Sequence, residues 1–258
     1  MPRLKDAMKR QLPDVQTYAP WLIDAKFAFY NAGTRYAGLF VDPEFKLLSR
    51  LPAAGLALDI GGNRGQSILA LKRHARPRRI VTFEPNPVLV RGLEERFGTL
   101  ESVTIKPVGL GEKPDRLDLY VPSYRNFTYD GLASLNETAA LALLNDRMIA
   151  RYDERHVSLT RCRVEVRTLD SFEFEPDIIK MDVQGLEDAV LAGGLETVRR
   201  CRPVMIIEAP SARFTEMAAS AGLSPYRYDG HRLVRGSTGA KNIVYLSEAH
   251  LEALGEAL

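Results

Sequence analysis

The sequence has little cysteine and no long uncharged run. Its two cysteines, Cys162 and Cys201, are too few for a disulfide framework and lack the paired spacing of a zinc site. No uncharged stretch is longer than about ten residues, whereas a helix needs about twenty apolar residues to cross a bilayer. We therefore expect no transmembrane segment and a reducing, cytoplasmic setting.

The sequence also lacks a strong excess of either charge. Its 35 Lys and Arg residues stand against 33 Asp and Glu, in a chain of 258 residues that is 45% hydrophobic. Nucleic-acid binding usually needs clustered Lys and Arg, so we expect a small-molecule partner and no nucleic acid. Residues 1–10 carry Asp6 among basic residues and precede no apolar core, which argues against a secretory signal. The oligomeric state stays open, a homodimer included.

From residue 55 onward, short apolar runs alternate with amphipathic stretches. This rhythm predicts an α/β fold with a mostly parallel central sheet and helices on both faces. Strands are predicted over 55–60, 79–84, 102–106, 176–182 and 203–208, and helices over 66–74, 88–97, 186–192 and 212–221. The alternating stretches 224–228, 231–234 and 242–246 are predicted to close the sheet, some of them antiparallel.

Two regions stand outside this rhythm. Residues 1–50 are aromatic-rich and predict an N-terminal helical cap, with helices over 14–31 and 43–51, on a main domain of residues 51–258. Residues 117–161 form a central insertion, predicted to hold a strand over 117–121 and a helix over 136–152. Long insertions on an α/β scaffold usually shape a substrate site, so we expect the acceptor there.

The segment 58–65 leaves a strand and enters a helix through a glycine-rich turn. Such a turn lets the backbone approach a ligand at a helix N-terminus. A dinucleotide fingerprint needs glycines at relative positions one, three and six, but after Gly61 those positions hold Asn63 and Gln66. Asp59 instead suits a ligand that carries an ammonium group as well as a carboxylate, as S-adenosylmethionine does. The alternative is a purely structural turn.

Glu84 ends the next predicted strand. An acid at this distance from a glycine turn can accept hydrogen bonds from both ribose hydroxyls, and Pro85 and Pro87 stiffen the turn that follows it. Taken alone, Glu84 could equally be a helix-capping or surface acid.

Asp182 and Glu208 end two later strands. Ligands of open α/β sheets bind beyond the carboxyl ends of the strands, so both carboxylates should face the same crevice, where Lys180 could pair with either. A buried carboxylate that caps a neighbouring helix is the alternative reading.

Four motifs together resemble the FkbM family of S-adenosylmethionine-dependent methyltransferases. They are Asp59-Ile60-Gly61-x-Asn63-x-Gly65, Glu84-Pro85-Asn86-Pro87, Thr168-Leu169-Asp170 and Ile179-Lys180-Met181-Asp182-Val183-Gln184-Gly185-Leu186-Glu187. The resemblance implies a class I, Rossmann-like methyltransferase fold. It also implies methylation of hydroxyl oxygens on sugars, glycolipids or polyketides, with S-adenosylhomocysteine as the product of the cofactor.

The resemblance also implies site residues. It puts the glycine turn around the methionine moiety, Glu84 on the ribose, Val108 and Gly109 beside adenine, and Ser134 in a small polar motif. The sequence departs from the family pattern at Gln184 and Leu186, where Glu and His are common. The predicted cofactor set is Asp59, Gly61, Gly62, Asn63, Gly65, Glu84, Pro85, Asn86, Val108, Gly109, Ser134 and Asp182.

Methyl transfer from a sulfonium is an in-line displacement, so positioning does most of the work and a base assists the weakly nucleophilic hydroxyl. Asp182 is the first candidate for that base and Glu208 the second, each with a pKa raised by burial or by a neighbouring carboxylate. The predicted catalytic set is therefore Asp182, Glu208 and Lys180. No metal site is predicted, although Mg²⁺ held by the two carboxylates is an alternative.

Side chains of the insertion could contact the acceptor. Tyr124, Phe127 and Tyr129 could stack on a sugar or pack against the cap. His156 lies in a basic cluster that could bind an anionic acceptor, although a solvated helix end explains it as well. The other members of this cluster are Arg151, Tyr152, Arg155 and Arg161.

Two rival functions remain open. The changes at Gln184 and Leu186 are compatible with a protein that binds S-adenosylmethionine and is catalytically silent. The strand, glycine turn, helix and Glu84 are compatible with a nicotinamide-dependent reductase, although the glycine spacing argues against it.

Overall fold

The computed structural model describes residue 33 and residues 41–255, except residues 126, 143, 147, 150 and 151. Strands and helices alternate along most of this part of the chain. The strands are β1 (Leu56–Ile60), β2 (Arg79–Phe83), β3 (Val103–Lys106), β4 (Gly109–Leu110), β5 (Asp115–Tyr124), β6 (Phe127–Thr128), β7 (Val157–Arg167), β8 (Ile178–Met181), β9 (Val204–Glu208), β10 (Ser224–Tyr228), β11 (Leu233–Arg235) and β12 (Asn242–Leu246). The helices are α1 (Pro43–Leu47), α2 (Gln66–His74), α3 (Pro87–Phe97), α4 (Glu137–Ala142), α5 (Glu187–Ala192), α6 (Leu195–Cys201), α7 (Ala212–Ser220) and α8 (Glu248–Leu254).

The described residues form one eight-stranded sheet in the order β11-β10-β12-β9-β8-β1-β2-β3. Strands β3, β2, β1, β8 and β9 are parallel, and β12 runs antiparallel between β9 and β10. All five residues of the central strand β1 are buried, because helices cover both faces of the sheet. The predicted Rossmann-like α/β fold, with an antiparallel closing strand, is confirmed.

Local sequence explains where the helices around the site begin. Asn86 caps α3, since its side chain accepts a hydrogen bond from the Val88 backbone N–H at 3.0 Å, and Pro87 occupies the first helical position. Ile68 and Leu71 of α2 are fully buried against one face of the sheet. Phe214 of α7 is fully buried against the other face. These two apolar faces fix the sheet and leave the ends of its strands accessible.

The insertion forms a second sheet in the order β4-β7-β5-β6. Its centre is a long antiparallel pair, in which β5 pairs with β7 from Asp115 and Val166 to Tyr124 and Val157. The predicted strand over 117–121 is confirmed and extends further, whereas β7 was not predicted. The predicted helix over 136–152 is wrong in extent, because α4 ends at Ala142, whose carbonyl accepts a hydrogen bond from the Asn145 side chain at 2.9 Å.

The other predicted boundaries agree with the structure within a few residues. Two short helices, α6 and α8, were not predicted, and the helix predicted over 43–51 consists of α1 followed by a 3-10 turn at Leu48–Arg50. The helix predicted over 14–31 lies outside the described residues. Within the described part of the chain, no helix has the length and apolar character needed to span a membrane.

Candidate active site

The turn between β1 and α2 requires its glycines. The backbone N–H groups of Gly61 and Gly62 both donate to the Phe83 carbonyl, at 3.0 and 3.1 Å, which holds the turn against the end of β2. Gly61 has φ +84°, and a Cβ at this position would overlap the carbonyl oxygen of Asp182. A Cβ at Gly62 would overlap the hydroxyl of Thr82. Gly61 and Gly62 therefore let the turn pack closely against the ends of two strands, because neither residue has a side chain.

Glu84 fastens this turn to the next one. It is only 6% exposed. Its Oε2 accepts a hydrogen bond from the Asn63 backbone N–H and its Oε1 accepts one from the Asn86 backbone N–H, both at 2.9 Å. Burial raises the pKa of Glu84, and the two backbone N–H groups oppose that rise. Each carboxylate oxygen retains a lone pair that can accept a further hydrogen bond from a ligand.

Asp59 and Lys180 lie beneath the glycine turn. Asp59 is fully buried, and its Oδ2 accepts a hydrogen bond from the Thr82 hydroxyl at 2.9 Å. Its Oδ1 is buried and has no hydrogen-bond partner among the described residues. The Lys180 ammonium is 3.9 Å from that Oδ1 and 3.8 Å from Oδ2 of Asp182. Lys180 therefore pairs with Asp182, one of the two acids expected for it, and with Asp59 in place of Glu208.

The carboxyl groups of Asp182 and Glu208 interact at the ends of β8 and β9. Burial and the Asp182 carboxylate raise the pKa of Glu208. Burial alone would raise the pKa of Asp182, but Lys180, the Glu208 carboxyl and Gln184 together bring that pKa below its usual value. The pair thus holds one readily ionised acid and one that keeps its proton to higher pH. The expectation of a raised pKa is met by Glu208 and contradicted for Asp182.

Three of the seven described non-glycine residues with positive φ lie at the same strand ends. Asn63, Gln184 and Ala209 have φ values of +45°, +55° and +45°. These residues follow β1, β8 and β9, which are adjacent in the sheet. Non-glycine residues held in this region cost about 1 to 3 kcal/mol each and cluster at functional sites. Part of the backbone strain of the described residues therefore lies at the same edge of the sheet as the acidic side chains.

A single pocket brings together six of the predicted site residues: Gly61, Gly62, Asn63, Lys180, Asp182 and Glu208. Five polar residues that the sequence analysis did not select also line it: Asp42, Gln66, Ser67, Lys241 and Asn242. Lys241 lies 3.4 Å from Oε2 of Glu208. Asn242 is aligned with Glu208 across the antiparallel pair β9 and β12. A prediction that an antiparallel strand pairs with β9 would have identified Asn242 from the sequence.

The remaining predicted cofactor residues do not line this pocket. Asp59 is beneath the turn, Glu84 and Asn86 are behind it, and Gly109 is next to Pro85. Val108 packs against the apolar cluster on one face of the sheet. Ser134 forms an isolated antiparallel β-bridge with Tyr120 through the backbone, and its hydroxyl accepts a hydrogen bond from the Asn136 backbone N–H at 3.1 Å. Its described contacts thus belong to the insertion.

The aromatic side chains of the insertion do not form a stacking surface. Tyr124, Phe127 and Tyr129 are buried in an apolar cluster with Leu144 and Ile149. The predicted sugar-stacking role is therefore wrong, because these rings have no exposed face to offer.

The basic cluster of the insertion does not line the pocket either. Arg155 and Arg161 are exposed and are paired with Asp153 and Asp118. His156 packs its ring edge-on against Tyr124, with centroids 6.0 Å apart. Arg151 lies outside the described residues. The exposed ion pairs fit the alternative of a solvated surface.

The residues present fit S-adenosylmethionine. Gly61 and Gly62 of the glycine turn line the pocket, and the buried Oδ1 of Asp59, which has no hydrogen-bond partner among the described residues, is an acceptor beneath that turn. The described residues do not fit a metal ion. Among the described residues, no three His, Cys, Asp or Glu side chains are grouped so that they could hold an ion. We therefore derive no step through Mg²⁺.

Comparisons with known proteins find a matching family model and curated relatives. The family model described as Methyltransferase FkbM domain matches residues 59–230. The 2-O-methyltransferase NoeI of Sinorhizobium fredii is 27% identical over 150 residues, which cover 56% of this chain and 59% of NoeI. The AMB antimetabolite synthetase AmbE of Pseudomonas aeruginosa is 29% identical over 192 residues, which cover 61% of this chain and 9% of AmbE.

The chain therefore spans less than two thirds of the length of either curated relative. Among solved structures, a methyltransferase FkbM from Methylobacillus flagellatus KT matches with a TM-score of 0.46 at 16% sequence identity. That match covers 84% of this chain and 47% of the other.

Proposed function

The chain belongs to the FkbM methyltransferase family and is a methyltransferase dependent on S-adenosylmethionine, and from this premise we propose that it methylates a hydroxyl oxygen. The acceptor is a small hydroxylated molecule of the sugar, glycolipid or polyketide type. The interacting Asp182 and Glu208 carboxyls beside the glycine turn carry the proposal, because a hydroxyl needs a base and these groups can supply one. The name of NoeI, a 2-O-methyltransferase, supports oxygen as the acceptor atom.

The proposed cofactor site consists of the glycine turn and the acids around it. Gly61, Gly62 and Asn63 would lie against the methionine part, with Asp59 beneath. Glu84 would accept hydrogen bonds from the ribose, since its two oxygens already fix the turns on either side. When bound there, the cofactor supplies an electrophilic methyl group on a sulfonium.

The protein itself positions the acceptor hydroxyl and supplies the charged groups around it. Asp182 and Glu208 end adjacent strands, so both can hold the acceptor hydroxyl at the carboxyl edge of the sheet. Glu208 is the better base of the two, because a carboxylate with a raised pKa accepts a proton more readily. Asp182, ionised and hydrogen-bonded by the Gln184 side chain at 2.8 Å, orients the hydroxyl. Lys180 holds Asp182 in place through its ammonium.

Transfer of a labelled methyl group to a panel of hydroxylated acceptors tests this proposal, with the product bond identified by NMR. We expect an O-methyl product. In Asp182→Asn and Glu208→Gln we expect turnover to fall by about tenfold or more, with S-adenosylmethionine affinity within several-fold of wild type. Asp115→Asn, an exposed change on β5, is the matched control. Methylation at nitrogen or carbon, or full turnover in both variants, would overturn the proposal.

The alternative of a nicotinamide-dependent reductase is excluded by the family match. Gln184 is one departure from the family pattern, and it has a specific role, because its side chain donates a hydrogen bond to Asp182. A glutamate there could not donate unless it were protonated. Leu186 is 39% exposed at the N-cap of α5, and no structural feature explains its identity.

A further inference from the structure

One side of the pocket faces the glycine turn and is built from distant parts of the chain. We call Asp42, Lys241 and Asn242 the acceptor wall. Asp42 precedes α1, whereas Lys241 and Asn242 enter β12. Because β12 runs antiparallel to β9, Asn242 is aligned with Glu208 at the carboxyl edge of the sheet.

The side chain of Asn242 is fixed with its oxygen available. Asn242 is only 6% exposed, and its Nδ2 donates to Oδ2 of Asp42 at 3.0 Å and to Oε2 of Glu44 at 3.4 Å. The amide has two N–H donors, so both are used. This orientation leaves Oδ1 to accept a hydrogen bond from a ligand.

The cations of the pocket are already paired. Lys180 lies between Asp59 and Asp182, and Lys241 lies 3.4 Å from Glu208. Among the described lining residues there is no arginine and no further lysine. An anionic ligand needs a cation or donor to offset its desolvation. Asp42, Glu208 and Oδ1 of Asn242 offer only oxygens, Lys241 is paired with Glu208, and the other polar side chains opposite them, Gln66 and Ser67, are neutral.

We propose that the acceptor wall selects the substrate of the proposed methyl transfer, and that it selects a polyhydroxylated acceptor that is neutral or carries an ammonium group. Hydroxyl and ammonium groups donate to Asp42, Oδ1 of Asn242 and Glu208. A phosphate or carboxylate on the acceptor would lie against these oxygens, and the described lining has no unpaired cation to bind it. The wall thus assigns the substrate class, and the inference rests on the proposed function.

Binding of three sugars to the full chain saturated with S-adenosylhomocysteine tests this. The probes are glucose, glucosamine and glucose 6-phosphate, whose Kd values are measured by ligand-observed NMR. We expect glucosamine to bind most tightly and glucose 6-phosphate most weakly. In Asp42→Asn we expect the preference for glucosamine over glucose 6-phosphate to shrink by about fivefold, because one charge near the ligand is removed. The variant retains an oxygen to accept from Asn242.

Asp115→Asn removes the same charge outside the pocket and should leave all three Kd values unchanged. Glucose 6-phosphate binding as tightly as glucosamine, an unchanged preference in Asp42→Asn, or no binding by any probe would overturn the inference. Methyl transfer to the same sugars, measured with S-adenosylmethionine in place of S-adenosylhomocysteine, separates this result from the parent proposal. The expected binding order without methyl transfer to any hydroxyl would remove the O-methylation proposal and retain the wall's selectivity.

Discussion

Arg64 of the glycine turn and Asp130 of the insertion form an ion pair, with Nη2 and Oδ2 2.6 Å apart. The two side chains are only 14% and 13% exposed. The Asp130 carbonyl also accepts a hydrogen bond from the Asn86 side chain at 3.2 Å. The insertion is therefore attached to both turns that Glu84 joins, which links the predicted acceptor region to the cofactor site.

A double-mutant cycle with Arg64→Met and Asp130→Asn measures this link. We expect a coupling energy of about 1 kcal/mol in urea unfolding, because the pair is more shielded than a surface ion pair and less than a buried one. The cycle cancels the other contacts of each residue. Strictly additive single effects would show that the pair contributes nothing to stability.

Alanine at Gly61 should disrupt the turn. The new Cβ would meet the backbone of Asp182 at a φ of +84°, so we expect unfolding free energy to fall by about 3 kcal/mol or more. Gly131→Ala is the matched control, since no atom lies within 4 Å of its Cβ position. It should change stability by no more than about 0.5 kcal/mol. Equal stability of the two variants in thermal unfolding would contradict the described turn.

Loss of the Glu84 carboxylate should weaken cofactor binding. Glu84→Ala removes both hydrogen bonds to the turns and the proposed ribose acceptor, so we expect S-adenosylmethionine affinity to fall by about a hundredfold or more. Glu95→Ala on the exposed side of α3 should bind like wild type. Isothermal titration with S-adenosylmethionine and S-adenosylhomocysteine measures both. Micromolar binding that survives in Glu84→Ala would remove Glu84 from the cofactor site.

The pH dependence of turnover should report the proton of Glu208. Its pKa is raised by burial and by Asp182, so the basic form appears only as pH rises through that value, and turnover should rise with pH over this acid limb. Lys241 lowers the pKa of Glu208, and Lys241→Met should therefore move the limb to higher pH. Glu208→Gln should abolish the limb. A pH profile identical in all three proteins would assign the base elsewhere.

The parallel part of the fold could be predicted because its strands are short, apolar and separated by amphipathic helices. The helix predicted over 66–74 agrees with α2 residue for residue, and the closing strand predicted over 242–246 agrees in the same way with the antiparallel β12. The insertion was harder. Most residues of β7 are exposed or half-buried and many are charged, so its alternation carries little apolar signal, although β5 pairs with it from Val157 to Val166. The boundary at residue 50 between cap and main domain stays a prediction.

The sequence predicted those site residues that stand at the end of an apolar strand. Asp182 and Glu208 were selected as charged residues after apolar strands, and the structure places them together. The acceptor wall could not be found in this way, because Lys241 and Asn242 enter a strand. The order of basicity within the acid pair depends on the burial of each group and on the position of Lys180, which are tertiary properties.

The reversed direction of β12 divides the two tasks of the site between distant parts of the chain. The turns proposed to hold the cofactor come from the segments after β1 and β2, whereas Lys241 and Asn242 arrive through the connection from β11 to β12. We expect substitutions in that connection to change which molecule receives the methyl group without disturbing the turns proposed to hold the cofactor. The same architecture can therefore diversify its acceptors while its donor stays constant.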